Sequence, residues 1–301
     1  MDRLLRLTRV WNHLPGFRAV AETEHLPSAA ERLGVTPSAL SRTVSAMERH
    51  LGRKLFDRRG RKLVLNEEGR QLLSYLRGTM RRFDDLLDDL QGEERGGPVR
   101  IASGSQLATS LVIACLPQLE ELEPGLRPEL CLPRDDPHAQ LLKGEIDLYL
   151  SEFSPAPRAL HVEVLGHYQN GVYCGEGHPL FRRRRLGVEE LLQHPFVGPP
   201  EIAGPAPDNW PPELRREVRV HVEQLTSALL ICAQGRYLSA LPDSVVRLVG
   251  AGRLKRLPWD GMPPARIYAT LRPILGPRDR AARVLTVLRA VAARVELEAT
   301  G

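Results

Sequence analysis

Small hydroxyl side chains and one arginine follow each other closely between Thr36 and Arg42, at the start of an expected helix. Ser38 and Ser41 complete this polar face, and Pro37 lies among them. Hydroxyl groups can pair with phosphates or base edges, and an arginine can reach a guanine or a phosphate. Because the leading residues are small, the start of such a helix can approach base edges closely. The stretch therefore predicts contact with the major groove of DNA.

A second cluster of basic side chains lies at the tip of an expected hairpin. Residues 53–65 alternate in hydropathy like a two-stranded ribbon that turns near Gly60. Arg58, Arg59 and Arg61 lie around this turn. A basic tip next to a recognition helix is suited to the phosphate backbone or the minor groove. A short helix pair with scattered arginines also occurs in proteins that do not bind DNA, so the hairpin is what strengthens the prediction.

Two helices joined by a short turn must position these side chains. The first is expected over Ser28–Leu33, and Gly34 follows where a left-handed residue commonly ends a helix. Thr36 can cap the second helix, which continues to about Leu51 with Pro37 in its first turn. The apolar stripe of this helix consists of Leu40, Val44, Met47 and Leu51. This is the pattern of a helix-turn-helix, whose second helix normally enters the major groove.

The stretch from Phe17 to Gly69 resembles the winged helix-turn-helix of LysR-type transcriptional regulators. The matching positions are Ala29-Ala30 with Leu33, Ser41-Arg42, Glu48 with Leu51-Gly52, Leu55-Phe56 with Arg58, and Glu68-Gly69. Three positions depart from the family pattern: His25-Leu26-Pro27 replaces Gly-Ser-Phe, Met47 replaces leucine, and Asn66 replaces threonine. Pro27 can shift the start of the first helix. The resemblance implies a sequence-specific DNA-binding regulator of transcription, with a winged helix-turn-helix domain over residues 1–66.

A long amphipathic helix is expected in residues 67–92, after the DNA-binding domain. Its apolar stripe is narrow and flanked by charge, and it consists of Leu72, Leu76, Met80, Phe83, Leu87 and Leu90. Such a stripe is typical of a helix that pairs with another helix, although packing on its own domain is the alternative. The resemblance implies that two chains pair through this helix, that dimers can join into tetramers, and that the complex acts with RNA polymerase. Two recognition helices in one dimer would read a pseudo-palindromic site.

Short strands and helices alternate beyond a glycine-rich linker at residues 92–98. This alternation predicts βαβ units and a parallel sheet. Gly144–Leu148, Gly177–Leu180 and His194-Pro195 resemble the effector-binding domain of LysR-type regulators. The resemblance implies a two-lobed α/β fold, like that of periplasmic binding proteins, over residues 93–301. Lobe I is expected at about 97–166 and 268–301, and lobe II at about 167–267.

Candidate ligand-binding residues follow the carboxyl ends of the expected strands. In parallel α/β sheets ligands bind there, because helix N-termini supply unpaired N–H groups. The set is Ser103, Gly104, Ser105, Gln106, Asp135, Ser151, Gly198, Pro199 and Thr226. By resemblance these residues line a small-molecule site between the lobes, for which an anionic metabolite is one candidate. The alternative is that the serines and threonines only cap helices.

The proline-rich run His194–Glu213 is expected to be irregular. It is interpreted either as a flap that carries Trp210 over the cleft or as a surface loop, which such runs more often form. The four arginines at residues 182–185 are interpreted as a solvated face rather than as a second site for polyanions.

Charge is distributed unevenly along the 301 residues. The net charge of the whole chain is +5, but residues 1–66 hold 13 Lys and Arg against 6 Asp and Glu, a net charge of +7. A basic head on a nearly neutral body is the footprint of a nucleic-acid-binding module joined to another domain. The sequence shows neither a long apolar run nor a secretory leader, so we expect a cytoplasmic protein.

Four widely separated cysteines show no metal-ligand spacing. Cys115, Cys131 and Cys232 lie in apolar runs, so buried thiols are expected, with no metal and no cofactor. Some LysR-type regulators sense oxidants through cysteine pairs, which leaves redox sensing as one alternative function. A ligand-independent regulator of the same fold is a second alternative. An enzyme with a DNA-binding head is a third, but the sequence lacks GxSxG, P-loop and GxGxxG motifs, so no enzymatic activity is predicted.

Overall fold

A computed structural model describes residues 3–59, 62–90, 97–134, 136–153, 156–200, 207–249, 252–273 and 279–299 of the chain. The chain divides near residue 94 into two compact units, which we call the head unit and the effector unit. None of the helices within these ranges is long and apolar enough to cross a membrane.

In its described residues, the head unit contains five helices and one hairpin. In chain order they are α1 (Arg3–Trp11), α2 (Leu14–Thr23), α3 (Leu26–Leu33), α4 (Pro37–Leu51), β1 (Phe56–Arg59), β2 (Lys62–Leu65) and α5 (Glu67–Leu90). Helices α3 and α4 form the expected helix-turn-helix. Strands β1 and β2 form the expected antiparallel ribbon, in which Phe56 lies opposite Leu65 and Arg59 opposite Lys62. The sequence pattern alone does not predict α1 and α2.

Glycine and threonine set the ends of the two motif helices. Gly34 ends α3 with a left-handed φ of +64°, and its N–H donates to carbonyls of the last turn. The Thr36 side chain begins α4 by accepting a hydrogen bond from the Ala39 N–H at 3.2 Å. Helix α3 begins at Leu26, two residues before the predicted start, because Pro27 is tolerated in the first helical turn, where its missing N–H costs nothing.

The core of the head unit is shared by α2 to α5 and the hairpin. Its members include Phe17, Leu40 and Met47, all almost completely buried. Leu33 and Leu51 were expected on the buried stripes of their helices, but both are exposed. Each is the last residue of its helix, where the chain turns away from the core.

The effector unit contains ten strands and seven helices within the described residues. In chain order they are β3 (Pro98–Ser103), α6 (Ser105–Leu107), a π-helical segment (Ala108–Val112), α7 (Ile113–Leu122), β4 (Arg127–Cys131), α8 (Pro137–Lys143), β5 (Leu148–Ser151), β6 (His161–Tyr168), β7 (Asn170–Gly175), α9 (Val188–Leu192), β8 (Phe196–Gly198), β9 (Val218–His221), α10 (Leu225–Cys232), β10 (Ser239–Pro242), α11 (Asp243–Leu248), β11 (Leu254–Arg256), β12 (Ala265–Leu271) and α12 (Arg280–Ala299).

Lobe I is built on a five-stranded sheet in the order β4-β3-β5-β12-β6. Strand β3 runs parallel to β4 and β5, whereas β12 runs antiparallel to β5 and β6. The core of this lobe includes Ile101, Leu148 and Leu288. The predicted parallel sheet is therefore wrong for β12. This strand brings the chain back from the second lobe, so it enters the sheet from the opposite end.

Lobe II has an antiparallel three-stranded sheet with β7 between β10 and β11, and a separate parallel pair of β8 and β9. Phe196 of β8 also forms a bridge with Leu238, next to β10. The chain passes between the lobes twice, from β6 to β7 and from β11 to β12. Both crossings lie beside the ends of strands, which is where a cleft between the lobes opens.

Candidate DNA-reading surface and ligand cleft

The first turn of α4 presents polar side chains to solvent. Thr36, Pro37, Ser38 and Arg42 are exposed, and Ser41 is half-buried. The Thr36 hydroxyl is already used, because it caps the helix and lies 3.2 Å from the Ser38 Oγ. Arg42 has no salt bridge or hydrogen bond to any part of the chain that the structure describes. Arg42 is therefore the side chain of this turn with the most freedom to bind a partner, whereas Ser38 shares a hydrogen bond with Thr36.

Two carboxylates fix the hairpin relative to this helix. Glu48 of α4 is buried, and its Oε1 accepts a hydrogen bond from the Leu55 N–H at 2.9 Å while its Oε2 lies 2.7 Å from the Lys54 Nζ. Glu24, which ends α2, accepts a hydrogen bond from the Leu65 N–H at 3.0 Å. The hairpin is thus held at both ends of its base, β1 by α4 and β2 by α2. Glu24 was not predicted, because its partner is distant in the sequence.

The tip of the hairpin is only partly described. Arg58 and Arg59 belong to β1, but their side chains and all of Arg61 lie outside the described residues. The backbone register places Arg59 at the end of the ribbon, opposite Lys62. The predicted contacts of these arginines with DNA therefore remain predictions.

The predicted dimerisation stripe of α5 divides into two halves with different surroundings. Leu76 is buried in the core of the head unit, and Leu72 packs against that core, so these two residues serve the head unit itself. Met80 is half-buried, whereas Phe83 and Leu87 are exposed. The side chain of Leu90 lies outside the described residues. Leu76 is therefore covered within the head unit and Leu72 partly so, and pairing through this stripe stays a prediction.

Exposed apolar side chains also occur on α1. Trp11 of α1 is 51 % exposed and makes an edge-on contact with Phe83 of α5, with ring centroids 6.3 Å apart. We call the exposed large apolar residues of these two helices the apolar band, and they are Leu4, Leu5, Leu7, Trp11, Tyr75, Phe83, Leu86 and Leu87. The stripe predicted on α5 did not include residues of α1, because periodicity along one helix gives no information about the helix that packs beside it.

A cavity of about 160 Å³ lies between the two lobes of the effector unit. The predicted residues Gly104, Ser105, Gln106, Gly198 and Pro199 all line it. The other lining residues are Glu152, Phe153, Pro207, Asp208, Val222, Glu223, Gln224, Leu225, Ala228, Ser239, Ala240 and Leu241. The turn after β3 and the end of β8 therefore meet at one site, as expected for strand ends that face each other across a cleft.

Three predicted ligand-binding residues that the structure describes are not part of this lining, and a fourth is not described. Ser103 is buried at the end of β3, and Ser151 is buried and donates a hydrogen bond to the Phe153 carbonyl at 2.7 Å. Thr226 is exposed away from the cavity, and Asp135 lies outside the described residues. Ser103, Ser151 and Thr226 therefore do not line this cavity, and their predicted contact with a ligand stays a prediction. In each case a neighbour along the chain faces the cavity instead.

Glu152 is a lining carboxyl group that sequence reasoning passed over in favour of Ser151. The Tyr168 hydroxyl donates to its Oε1 at 3.1 Å, and the Gln106 Oε1 lies 3.4 Å from the same hydroxyl. A hydroxyl has only one proton, so it can serve only one of these acceptors at a time. Burial raises the pKa of Glu152 above its ordinary value, although the hydrogen bond from Tyr168 partly opposes this effect. A carboxyl that is hard to ionise thus lies in the cavity wall.

Asp208 is the second unpredicted carboxyl group in the wall. Its side chain is only 5 % exposed, its Oδ2 lies 2.5 Å from the Arg216 Nη2, and its backbone carbonyl accepts from the Asn170 side chain at 2.7 Å. The Oδ1 atom has no hydrogen-bond partner among the described residues. The Arg216 guanidinium is itself stacked on Trp210, 4.4 Å from the ring centroid. The carboxylate therefore has one satisfied and one unsatisfied oxygen.

The proline-rich run that carries Asp208 is neither a flap nor a plain surface loop in its described part. Trp210 is 6 % exposed and packs against Phe196 and Trp259 in the core of lobe II. The flap interpretation is therefore wrong for Trp210. The buried tryptophan anchors residues 207–213, and this anchoring is what fixes Asp208 in the cavity wall.

One hydrogen bond joins the lobes directly across the cleft. The Leu225 N–H, at the start of α10 in lobe II, donates to the Ser105 Oγ of lobe I over 3.4 Å. The bond is long, and its donor is one of the N–H groups that every helix leaves unpaired at its N-terminus. The cleft is therefore closed at this point by a weak contact.

Two family descriptions cover most of this chain. Residues 92–293 match "LysR substrate binding domain", and residues 11–70 match "Bacterial regulatory helix-turn-helix protein, lysR family". The chain belongs to the LysR family of transcriptional regulators. The predicted family, the fold class and the role as a DNA-binding transcription regulator with an effector-binding domain are thereby confirmed.

Relatives of this LysR-type regulator are themselves regulators of transcription. The SDS degradation transcriptional activation protein of Pseudomonas sp. (strain ATCC 19151) is 29 % identical over 260 residues, which cover 80 % of this chain and 82 % of that protein. The HTH-type transcriptional regulator PtxR of Pseudomonas aeruginosa is 27 % identical over 270 residues, covering 86 % of this chain and 85 % of that protein.

Solved structures of full-length proteins share the fold. A full-length OxyR variant from Pseudomonas aeruginosa superimposes with a TM-score of 0.70 at 18 % identity, over 94 % of this chain and 98 % of that chain. ArgP from Mycobacterium tuberculosis gives a TM-score of 0.69 at 20 % identity, over 93 % of this chain and 96 % of that chain. At such identities the likeness concerns the fold alone.

The cysteines of this LysR-type regulator lack the character of redox sensors. Cys115, Cys174 and Cys232 are buried, and burial raises the pKa of their thiols to about 12, 11 and 12. Burial also raises the pKa of the half-buried Cys131. The thiolate is the form that reacts with oxidants, and a raised pKa makes it scarce at neutral pH. The thiols therefore fit apolar packing better than the redox alternative.

Proposed function

We propose that this LysR-type regulator reads a specific DNA site with the first turn of α4 and changes its activity when a small molecule binds between the lobes of the effector unit. Transcription regulation follows from the family. The residues that contact DNA, the ligand site and the assembly are the further steps of the proposal.

In the proposed complex, Ser38, Ser41 and Arg42 face base edges in the major groove, with Pro37 allowing close approach. Thr36 contributes mainly as the cap that orients these side chains, because its hydroxyl already accepts from the Ala39 N–H. Arg58, Arg59 and Arg61 follow the phosphate backbone or the minor groove from the hairpin tip. The base contacts supply specificity and the phosphate contacts supply affinity that depends on salt.

The apolar band of α1 and α5 is the proposed dimer interface. Exposed aromatic and leucine side chains that lie together on a surface are costly in water, and burying them between two chains removes that cost. A dimer of this kind presents two copies of α4 to a pseudo-palindromic site. Contacts between effector units would join two dimers into a tetramer, and RNA polymerase is the proposed downstream partner.

The cavity between the lobes is the proposed effector site. Its lining residues come from both lobes, so a ligand bound there contacts both lobes. The chain passes between the lobes at two points, from β6 to β7 and from β11 to β12. A ligand that binds the closed arrangement more tightly than the open one shifts the population toward closure. The resulting change in the effector unit would alter the arrangement of the heads on DNA.

The observation that carries the DNA-binding proposal is the exposed Arg42 beside the capped start of α4, with no partner in the described chain. Genomic footprinting of the purified full-length protein on sheared DNA from its source tests it. A small number of protected sites that are lost with Arg42→Ala is the expected result. Protection that is diffuse, or unchanged by this substitution, would overturn the placement of α4.

A further inference from the structure

The cavity between the lobes has an acidic lining. Glu152, Asp208 and Glu223 contribute carboxyl groups to it. Among the described residues that line the cavity, none is a lysine, arginine or histidine. Residues 154–155 and 201–206, which continue two of the lining segments in the sequence but lie outside the described part, contain no basic residue either. In the described lining, an anionic metabolite would therefore meet three carboxyl groups and no basic side chain, although Arg216 pairs with Asp208 from behind the wall.

Asp208 also has one side-chain oxygen that lacks a hydrogen-bond donor among the described residues. Its side chain is more than nine-tenths buried in the wall, and its Oδ1 atom has no hydrogen-bond donor among the described residues. Buried acceptors without a donor are uncommon, because leaving one unsatisfied costs free energy. Arg216 satisfies the other oxygen, but its guanidinium stacks on Trp210 and is not among the lining residues. Because Asp208 lines the cavity, a donor group of a ligand bound there can supply the hydrogen bond that Oδ1 lacks.

Glu152 gives a second acceptor on the opposite lobe. Its Oε1 accepts from Tyr168, which leaves the rest of the carboxyl group available to a donor in the cavity. Burial makes the ionised form of this group unfavourable unless a positive charge is close. A cation in the cavity supplies that charge, whereas a neutral molecule does not.

We propose that the effector of this regulator is a small organic cation, whose ammonium or amidinium group hydrogen-bonds to Glu152 in lobe I and to Asp208 in lobe II. The inference rests on the proposed function, because it specifies the ligand of that same cleft. Leu225, Leu241 and Phe153 provide the apolar part of the lining for the carbon skeleton of the ligand. A cavity of about 160 Å³ is close in size to the engineered one of about 150 Å³ that holds benzene.

The two carboxyl groups also link ligand binding to closure of the cleft. Glu152 belongs to the segment after β5 in lobe I, and Asp208 belongs to the anchored segment of lobe II. A nitrogen that bonds to both can do so only when the lobes are together. The ligand would therefore bind the closed arrangement selectively, which is the requirement for a population shift.

Matched sets of small molecules can test this proposal on the full-length protein. The probes are benzylamine, benzyl alcohol and benzoate, and butylamine, butanol and butyrate, which share a skeleton within each set and differ in charge. Differential scanning fluorimetry and titration calorimetry at about pH 8 measure binding while the amines are protonated. The amines are expected to raise the melting temperature, and the alcohols and acids are not.

A variant assigns the effect to the cavity. Glu152→Gln keeps the shape and the acceptor for Tyr168 but removes the charge, so amine affinity should fall at least about tenfold. Glu129→Gln is the matched control, since Glu129 pairs with Arg100 on the exposed surface of lobe I and should leave amine binding unchanged. Any one of three results would overturn the proposal: stabilisation of the protein by the acids, no response to any amine, or an unchanged amine response in Glu152→Gln.

The same preparation separates failure of this inference from failure of the regulator proposal. Fluorescence anisotropy with the footprinted DNA reports on the head unit independently of the cleft. Specific DNA binding without any amine response would leave the regulator proposal standing and reject the organic cation. An amine response without specific DNA binding would do the reverse.

Discussion

The recognition helix and the ligand cleft keep their charged groups in opposite environments. Arg42 stands in water on a head that carries a net charge of +7 over residues 1–66. Glu152 and Asp208 are withdrawn from water, and burial raises the pKa of Glu152. An exposed charge costs little to maintain, whereas a buried carboxylate is unfavourable until a partner arrives. The exposed charge of Arg42 needs no partner to be stable, whereas Asp208 is already paired with Arg216 and the ionised form of Glu152 is the one that a bound cation would stabilise.

Glu48→Ala is expected to have the largest effect, and to confine it to the head unit. The substitution removes the acceptor for the buried Leu55 N–H, so the head should lose about 2 kcal/mol of unfolding free energy. DNA affinity should fall as well, because the hairpin is no longer held against α4. Urea unfolding followed by circular dichroism measures the loss, and the response of the cleft to benzylamine should stay unchanged.

Lys54→Ala is the matched control for that substitution. It removes the ion pair with Glu48 but leaves the bond to the Leu55 N–H, and the Lys54 side chain is 77 % exposed. Exposed ion pairs contribute little, so the cost should stay below about 0.5 kcal/mol. Equal losses in the two variants would show that the ion pair, and not the N–H bond, fixes the hairpin.

Arg42→Ala should reduce specific DNA affinity by about 1–3 kcal/mol and relax discrimination at one position of the site. Arg59→Ala should instead weaken binding to all sequences about equally and lower the salt dependence by about one charge. Anisotropy titrations at several salt concentrations, with specific and random duplexes, distinguish the two. If both variants lost only salt-dependent affinity, the base-reading role of Arg42 would have to be abandoned.

The head could be predicted closely from sequence because its signals are local. Gly34 ends one helix, and Thr36 begins the next through the Ala39 N–H three residues away. The paired strands of the ribbon end at Arg59 and begin again at Lys62, as the alternation indicates. The stripe on α5 shows where such signals fail. Leu76 and Phe83 have equivalent helical spacing, yet one is covered by the head core and the other is exposed. Spacing shows which residues share a face but not what covers that face.

The cleft could be predicted only in part because its walls come from distant segments. The turn at Gly104–Gln106 was found, since a polar turn before a helix marks the end of a strand. Glu152 was missed by one position: side chains alternate at a strand end, so the buried Ser151 faces inward and its neighbour faces the cavity. Asp208 was missed because a proline-rich run gives no local sign that Trp210 anchors it in a core.

Glu152→Gln should stabilise the protein in the absence of ligand while it weakens the response to amines. A raised pKa means that the folded state resists ionisation of Glu152, so stability from this group is present below its ordinary value near 4.5 and is lost as pH rises. Glutamine does not ionise, so the Glu152→Gln variant does not lose this stability as the pH rises. Its melting temperature should exceed that of the wild type near neutral pH and approach it in acid. A lower melting temperature in the variant near neutral pH would contradict the expected direction of the stability change.

Amine affinity should fall as the pH is lowered through the raised pKa of Glu152, because protonation removes the negative charge that the cation needs. Tyr149 and Tyr168 face Glu152 and do not titrate in this range, since burial raises the pKa of both. Asp208 and Glu223 are the other ionisable groups of the lining. Calorimetry from about pH 8 downward should show a fall that approaches tenfold per unit once the pH is below the raised pKa of Glu152, and the pH dependence should be much weaker in Glu152→Gln.

Ser105→Ala is expected to have the smallest effect, and it isolates closure of the cleft from ligand recognition. The substitution removes the hydrogen bond from the Leu225 N–H, which is long and therefore weak. If the ligand prefers closed lobes, losing a contact of the closed state should reduce amine affinity by a factor of about two to five, with the preference for amines over alcohols intact. Thr109→Ala is the control, because the Thr109 hydroxyl donates to the Ser105 carbonyl within lobe I and so removes no bond between the lobes. A loss of charge preference in Ser105→Ala would mean that the hydroxyl recognises the ligand itself, and closure would then need another test.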